Sequence, residues 1–382
     1  MSRPVVIVIG LGAVGSATAL HLIRAGATVV GFDRWRPPHR WGSTHGESRI
    51  TRATAWEGTQ YLPLVARAQR LWADFSRETG RTYFAATGGL FVGHPHEYHV
   101  AGTLRSAQEA SLRHELLEHA ALRRRWPWLE VPDGMVGVLD PGAGVLSPER
   151  IVEDQLAAAA AGAATLHFDC EVRGIEELSG GVRVSTSLGV HHADAAVICA
   201  GGWTAELLGA QAPQLRVERV TQHWFAPASG SGAFSINALR SDGVPSAPVL
   251  LLSDGHDHAT AVFPEQSGRI KVAGHGTGVI GDVQGLDREV RAEDVAGAER
   301  ILRRYLPTHA GRHLESSSCF YTRTPNGHFV IDRVPGAARM VYASACNGFG
   351  FKFSVAVGEA LAAMALGHRP PVDVSPWQSV SG

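Results

Sequence analysis

Residues Val5 to Asp33 read VVIVIGLGAVGSATALHLIRAGATVVGFD, and this stretch narrows the possible folds more than any other. Val5 to Ile9 are a continuous apolar run of β-branched residues, as expected of a strand buried on both faces of a parallel sheet. Gly10, Gly12 and Gly15 then give G-x-G-x-x-G. Gly10 permits the tight turn, Gly12 admits a pyrophosphate close to the backbone, and Gly15 lets the next helix pack on the strand. That helix reads from Ala13 to Ala25, with free N–H groups at its start that suit an anion, and Gly26 stops it. Ala27 to Phe32 form a second strand, and Asp33 follows where a carboxylate can accept from ribose hydroxyls. Strand, helix, strand and acid in this order predict a dinucleotide site. The acid favours an unphosphorylated ribose, so FAD and NAD both fit.

At 382 residues the chain is long for one core, and about two domains are expected. A formal net charge of −1 argues against a nucleic-acid or anionic-membrane partner. The apolar N-terminal segment is interrupted by glycines and His21, and no uninterrupted apolar run is long enough to cross a bilayer, so a cytoplasmic location is expected. Cys170, Cys199, Cys319 and Cys346 are scattered and imply no disulfide framework. His94, His96 and His99 lack acidic or cysteine partners at ligand spacing, so no metal site is read there.

Lysine usage carries more information. Lysine and arginine total 35, yet only Lys271 and Lys352 are lysines. A chain that uses arginine almost everywhere marks each surviving lysine as a candidate for work that needs a compact ammonium.

Along the chain, Pro37 and Pro38 predict an extended loop leading into Gly42-Ser43-Thr44-His45-Gly46-Glu47-Ser48-Arg49-Ile50-Thr51-Arg52. Arg49 and Arg52 are placed to share a helical face at i, i+3 and to bind a carboxylate; a solvated basic turn is the alternative. Tyr61 to Thr79 read as an amphipathic helix, Gly88 to Val92 as a strand and Gly102 to Ala110 as a helix. Ser147 and Pro148 predict a capped helix start. Thr165 to Val172 and Val182 to Ser187 read as strands, and Ala195 to Cys199 as a buried strand ending in Ala200-Gly201-Gly202-Trp203. A second domain is expected to bring antiparallel strands at Val217 to Phe225, Val249 to Ser253, Ala259 to Phe263 and Arg269 to Gly274. Near the end, the glycine-punctuated segment Ala345 to Ser354 enters the helix Val355 to Leu366.

Taken together, the N-terminal fingerprint, GSTHGESR, Cys319-Phe320-Tyr321-Thr322 and GFGFKFS resemble monomeric sarcosine oxidase and N-methyltryptophan oxidase, in the D-amino-acid-oxidase-like flavoprotein superfamily. The resemblance runs over nearly the whole chain. It implies an α/β fold, with a Rossmann-like FAD-binding domain (1–85, 147–215 and 312–382) interleaved with an α+β substrate domain on an antiparallel sheet (86–146 and 216–311). It implies FAD as cofactor, tethered by a thioether from Cys319. It implies a substrate carboxylate held by Arg52 and Lys352, and Lys271 above the ring to activate dioxygen. His45, Ser48 and Arg49 would form a polar network beside the ring, and His275 and Tyr321 would line the substrate cavity. Gly10, Gly12, Gly15, Asp33, Ser43, Val172, Gly201, Trp203, Gly348 and Gly350 complete the expected cofactor contacts. The implied reaction oxidises the C–N bond of a secondary α-amino acid to an imine that hydrolyses, with dioxygen reduced to hydrogen peroxide by a monomeric enzyme. Both lysines fall on functional positions of the family. Thr44 replaces a family histidine, Ser48 a threonine, and the segment around Thr260 lacks the tyrosines that close the sarcosine pocket. A larger N-methyl or cyclic amino acid, a glycated amino acid and a specialised-metabolite amine therefore stay open as substrates, and so does a dehydrogenase using another acceptor.

Overall fold

The computed structural model describes residues 3–228, 232–239, 246–255, 259–275, 278 and 280–378. Val5–Ile9, fully apolar, lies inside a six-stranded sheet whose order is Val330–Arg333, Met340–Ser344, Ala195–Ile198, Val5–Ile9, Thr28–Phe32 and Thr165–His167. All neighbours in it run parallel except the first pair. The helix Ala13–Arg24 follows the first strand, and Gly10, at φ +84°, makes the turn between them. A Cβ on Gly15 would overlap the Gly10 carbonyl oxygen, so helix and strand meet only because residue 15 has no side chain. The C-terminal helix Ser354–Ala365 packs on Ala13–Arg24 in the same way: a Cβ on Gly358 would stand 2.7 Å from the Ala17 Cβ.

The second large sheet has nine strands and is mainly antiparallel. Its centre is Arg216–Pro227, paired along its length with Ala310–Arg323 and on its other side with Arg269–Gly274, which continues to Ala259–Gln266 and Val249–Ser253. One face of this sheet packs on the helix Ala292–Tyr305 through Val262, Val272 and Leu302. The opposite face looks toward the parallel sheet.

Several expectations need correction. Arg49 lies in a short strand, Arg49–Thr51, that pairs with Gly144–Leu146, and Arg52 follows it, so the two arginines share no helical face. Thr165 to Val172 is two strands in different sheets: Asp169, at φ 53°, breaks the run, and Val172–Leu178 opens a three-stranded meander. The helix expected at Gly102 starts at Tyr98. Ser147 precedes the helix Pro148–Ala161 but makes no side-chain cap. Val249–Ser253 is antiparallel to Ala259–Gln266, as expected, but pairs in parallel with Gly89–Gly93 on its other edge. The strand Ala310–Arg323, carrying Cys319, belongs to the antiparallel sheet, and the chain rejoins the parallel sheet at Val330. Among the described residues, no helix is long and apolar enough to cross a membrane.

Candidate active site

Between the two sheets runs a cavity of about 550 Å³. At one end are Gly10, Gly12 and Asp33; Ser43, Ser48, Val172, Gly201 and Trp203 continue it; Arg49, Arg52, Lys271, His275, Cys319, Tyr321, Gly348, Gly350 and Lys352 line the rest. Two expected contacts do not line it. Gly15 is used for helix packing, and His45 is buried beside it with its Nε2 unpartnered.

The fingerprint end fits a dinucleotide. A Cβ on Gly12 would meet only the Thr44 hydroxyl, at 3.5 Å, so open space lies before the glycine turn and the helix start. Asp33 accepts from the backbone N–H of Leu11 at 2.7 Å and of Trp35 at 3.0 Å. The acid thus shapes the turn itself, which motif reading had assigned only to ribose. Oδ2 keeps a further lone pair, while Oδ1 also faces His39 Nε2 at 3.4 Å.

The middle of the cavity is held positive. Arg49 donates to three carbonyls: Ser48 at 2.8 Å, Ser43 at 2.9 Å and His45 at 2.7 Å. Lys271 donates to Gly46 O at 2.6 Å and Ser48 O at 3.0 Å, with the Phe263 ring 5.0 Å from its Nζ. Among the described residues neither forms an ion pair, and both are held by carbonyl dipoles. Burial, and then Arg49, push the Lys271 ammonium well below the usual lysine range. Glu149 secures the loop from below, accepting from the N–H groups of Gly46 and Glu47. Sequence reading did not assign Glu149 a role.

Cys319 is buried and not in a disulfide. Positive charge nearby acidifies a thiol. Burial outweighs the pull of Arg49 and Lys271, and the thiol is pushed up. Tyr321, two residues along the same strand, is hydrogen-bonded to His275 Nδ1 at 3.0 Å. Burial lowers His275 to about 3, so the imidazole is neutral at physiological pH.

At the far end, Arg52 and Lys352 meet a residue that motif reading missed. Glu57 accepts from Arg52 Nη2 and, at 3.1 Å, from Lys352 Nζ; Lys352 also donates to Phe349 O at 3.1 Å. All three side chains are buried, at 1%, 7% and 3% exposure for Arg52, Glu57 and Lys352. While Lys352 is protonated, two cations and one carboxylate leave this cluster one positive charge in excess. Arg52 Nε and Nη1 and Glu57 Oε2 have no partner. Burial, and then Arg52, bring Lys352 down to about 7, while Arg52 and Lys352 hold Glu57 below the usual carboxylate range against its burial. Glu57 is the sole charge between Ala53 and Tyr61, which was the signal available in the sequence. Gln222, also unassigned from sequence, lines the cavity with its Nε2 buried and free.

Comparison with known proteins agrees with this layout. The family model described as FAD dependent oxidoreductase matches residues 6–364. A monomeric sarcosine oxidase from Streptomyces avermitilis is 37% identical over 365 residues, covering 94% of this chain and 93% of that protein. An N-methyl-L-tryptophan oxidase from Yersinia pestis is 34% identical over 371 residues, covering 97% and 96%. Among solved structures, NikD, an amino acid oxidase of nikkomycin biosynthesis, superposes with a TM-score of 0.83 at 20% identity, over 99% of this chain and 98% of that one.

Proposed function

The chain belongs to the FAD-dependent oxidoreductase family and is a sarcosine oxidase-like flavoenzyme, and from this premise we propose that it oxidises the C–N bond of secondary α-amino acids and passes the electrons to dioxygen. The observation that carries the reading is the Arg52–Glu57–Lys352 cluster: buried, one positive charge in excess while Lys352 is protonated, with two unpartnered arginine nitrogens. A small carboxylate restores both the charge balance and the missing hydrogen bonds. Bound FAD supplies the two-electron acceptor that takes a hydride equivalent from the carbon beside the amine nitrogen.

The protein's own groups do the rest. Gly10, Gly12 and the start of the helix Ala13–Arg24 hold the pyrophosphate, with Asp33 at the ribose. Arg52 and Lys352 fix the substrate carboxylate, orienting the carbon–hydrogen bond. Arg49 and Lys271 hold positive charge where negative charge develops as oxygen is reduced. Neutral His275, paired with Tyr321, bounds the substrate side and adds no further charge to it. Cys319 tethers the cofactor through a thioether, a role supported by a free thiol on the cavity wall near both cations.

Incubation under air with an N-methyl amino acid tests the reaction: hydrogen peroxide and an aldehyde from the N-methyl group, in equal amounts, are expected. Turnover with an artificial acceptor but no peroxide would move the protein to the dehydrogenases. Acid precipitation tests the tether. Yellow colour stays with the protein pellet if Cys319 is linked and moves to the supernatant in Cys319→Ala; colour in the supernatant of the wild type refutes it.

A further inference from the structure

The antiparallel sheet shapes the substrate end of the cavity more narrowly than its charges do. Cross-strand partners share a face of a sheet. Trp224, Lys271 and Phe263 form one row across three strands, since Trp224 pairs with Lys271 and Lys271 with Phe263. Two residues further along, Gln222, Ala273, Ala261 and Leu251 form the next row on the same face. The first row stands tall with two aromatic rings and a lysine. The second is cut down to methyl groups at two adjacent positions, and both alanines line the cavity. His275 follows beyond them and lines it as well. The sheet therefore presents a trough, floored by Ala261 and Ala273 and walled by Phe263 on one side and His275 on the other.

The facing wall is apolar too. Ile50 and Trp56 line the cavity, and the Trp56 ring lies 3.9 Å beneath the Arg52 guanidinium carbon and edge-on to Phe91 at 5.7 Å. Trp56 is seated on Gly102, where a Cβ would come within 2.9 Å of the Trp56 Cβ. The carboxylate anchor and the aromatic wall are thus one packed unit. The buried acid Glu57 is taken up by Arg52 and Lys352. A basic side chain would meet Arg52, Arg49 and Lys271, and an acidic one would lose its water for a lysine that already spends two donors on carbonyls.

Resting on the reading of the site as a carboxylate-anchored amine oxidase, we propose that the Ala261–Ala273 trough receives an uncharged ring of the substrate, making ring-bearing secondary amino acids its substrate class and these two alanines the residues that set it. Once Arg52 and Lys352 hold the carboxylate, the trough lies within reach of an apolar group on the α-carbon or of a ring that joins that carbon to the nitrogen.

The test uses carboxylates that cannot be oxidised, titrated into the holoenzyme and read by the change in flavin absorbance. Acetate probes the anchor alone; phenylacetate probes anchor and trough. In the wild type phenylacetate is expected to bind at least about tenfold tighter than acetate, the return on burying a ring. Ala261→Leu, an apolar change within a strand, is expected to remove most of that preference, and Ala273→Val to reduce it. Equal affinity of the two probes in the wild type, or a preference unchanged in a folded Ala261→Leu, overturns the trough while leaving the anchor in place. If acetate perturbs the flavin at no concentration, the anchor itself is wrong and the trough falls with it.

Discussion

Replacing Glu57 by glutamine keeps the shape of the carboxylate cluster and removes its anion. Lys352 Nζ lies 3.1 Å from Glu57 Oε1. At an effective dielectric of about 20, a unit charge pair at that distance interacts by roughly 5 kcal/mol, equivalent to about four pKa units. That figure is a ceiling, because water and side-chain relaxation reclaim part of it. With Glu57 present, Lys352 sits at about 7. Without it, two buried cations face each other, and the lysine is expected to fall by at least about one further unit, within the ceiling just worked. A carboxylate ligand binds best to the protonated lysine. In the wild type its dissociation constant should be flat below about pH 7 and rise toward tenfold per pH unit above it, until the pKa of the complex is reached. In Glu57→Gln the same break should move to lower pH by at least about one unit. The assay is a series of acetate titrations of the holoenzyme from about pH 5 to about pH 9, a range that brackets the break, read by flavin absorbance. Acetate has no amine, so its own protonation does not enter in the upper part of the range. A break that stays in place in the variant would refute the idea that Glu57 holds the Lys352 proton.

Three further outcomes follow from the structure. Lys271→Met should slow reoxidation of the reduced flavin by oxygen by about a hundredfold or more while changing anaerobic reduction far less, as read by stopped-flow of the two half-reactions; equal losses in both would remove Lys271 from the oxygen step. Gly358→Ala inserts a methyl group 2.7 Å from the Ala17 Cβ and 2.8 Å from the Thr18 nitrogen, so unfolding should cost about 1–3 kcal/mol less in a denaturant titration; an unchanged midpoint would mean the two helices can separate freely. Burial holds His21 and His223 at about 4 in the folded protein, against an ordinary 6.5. The unfolded chain protonates first as pH falls, so the stability they permit is complete above pH 6.5 and is lost between 6.5 and about 4. Each should contribute a slope of up to about 1.4 kcal/mol per pH unit in that window, which replacing either by an uncharged residue of similar size should flatten.

What could be read from the sequence follows the range of the interactions involved. Val5 to Asp33 was legible because strand, turn, helix and second strand are contiguous and each glycine answers a local steric demand. Both lysines stood out through usage alone, and both lie in the cavity. Glu57 was not assigned because its meaning depends on Lys352, 295 residues away, and its isolation among uncharged residues from Ala53 to Tyr61 was the one local sign. Arg49 and Arg52 suited a helical spacing, but Arg49–Thr51 is drawn into a strand by its pairing with Gly144–Leu146, a tertiary effect that outweighs local pattern. The trough was out of reach for the same reason: Ala261 and Ala273 are unremarkable apart, and only the register of the sheet makes them neighbours. Thr165 to Val172 misled because one residue in the left-handed region, Asp169, divides an otherwise continuous extended run.

The central requirement is that a secondary amino acid deliver its electrons to the flavin while Arg52 and Lys352 hold its carboxylate. The most direct measurement is anaerobic mixing of the holoenzyme with an N-methyl amino acid, with the matching primary amino acid, and with the N-methyl amine that lacks the carboxylate. Full bleaching of the oxidised flavin band by the first, with far slower bleaching by the other two, is the predicted result. A flavin that stays yellow with the N-methyl amino acid, or bleaches equally well with the amine that has no carboxylate, would contradict it.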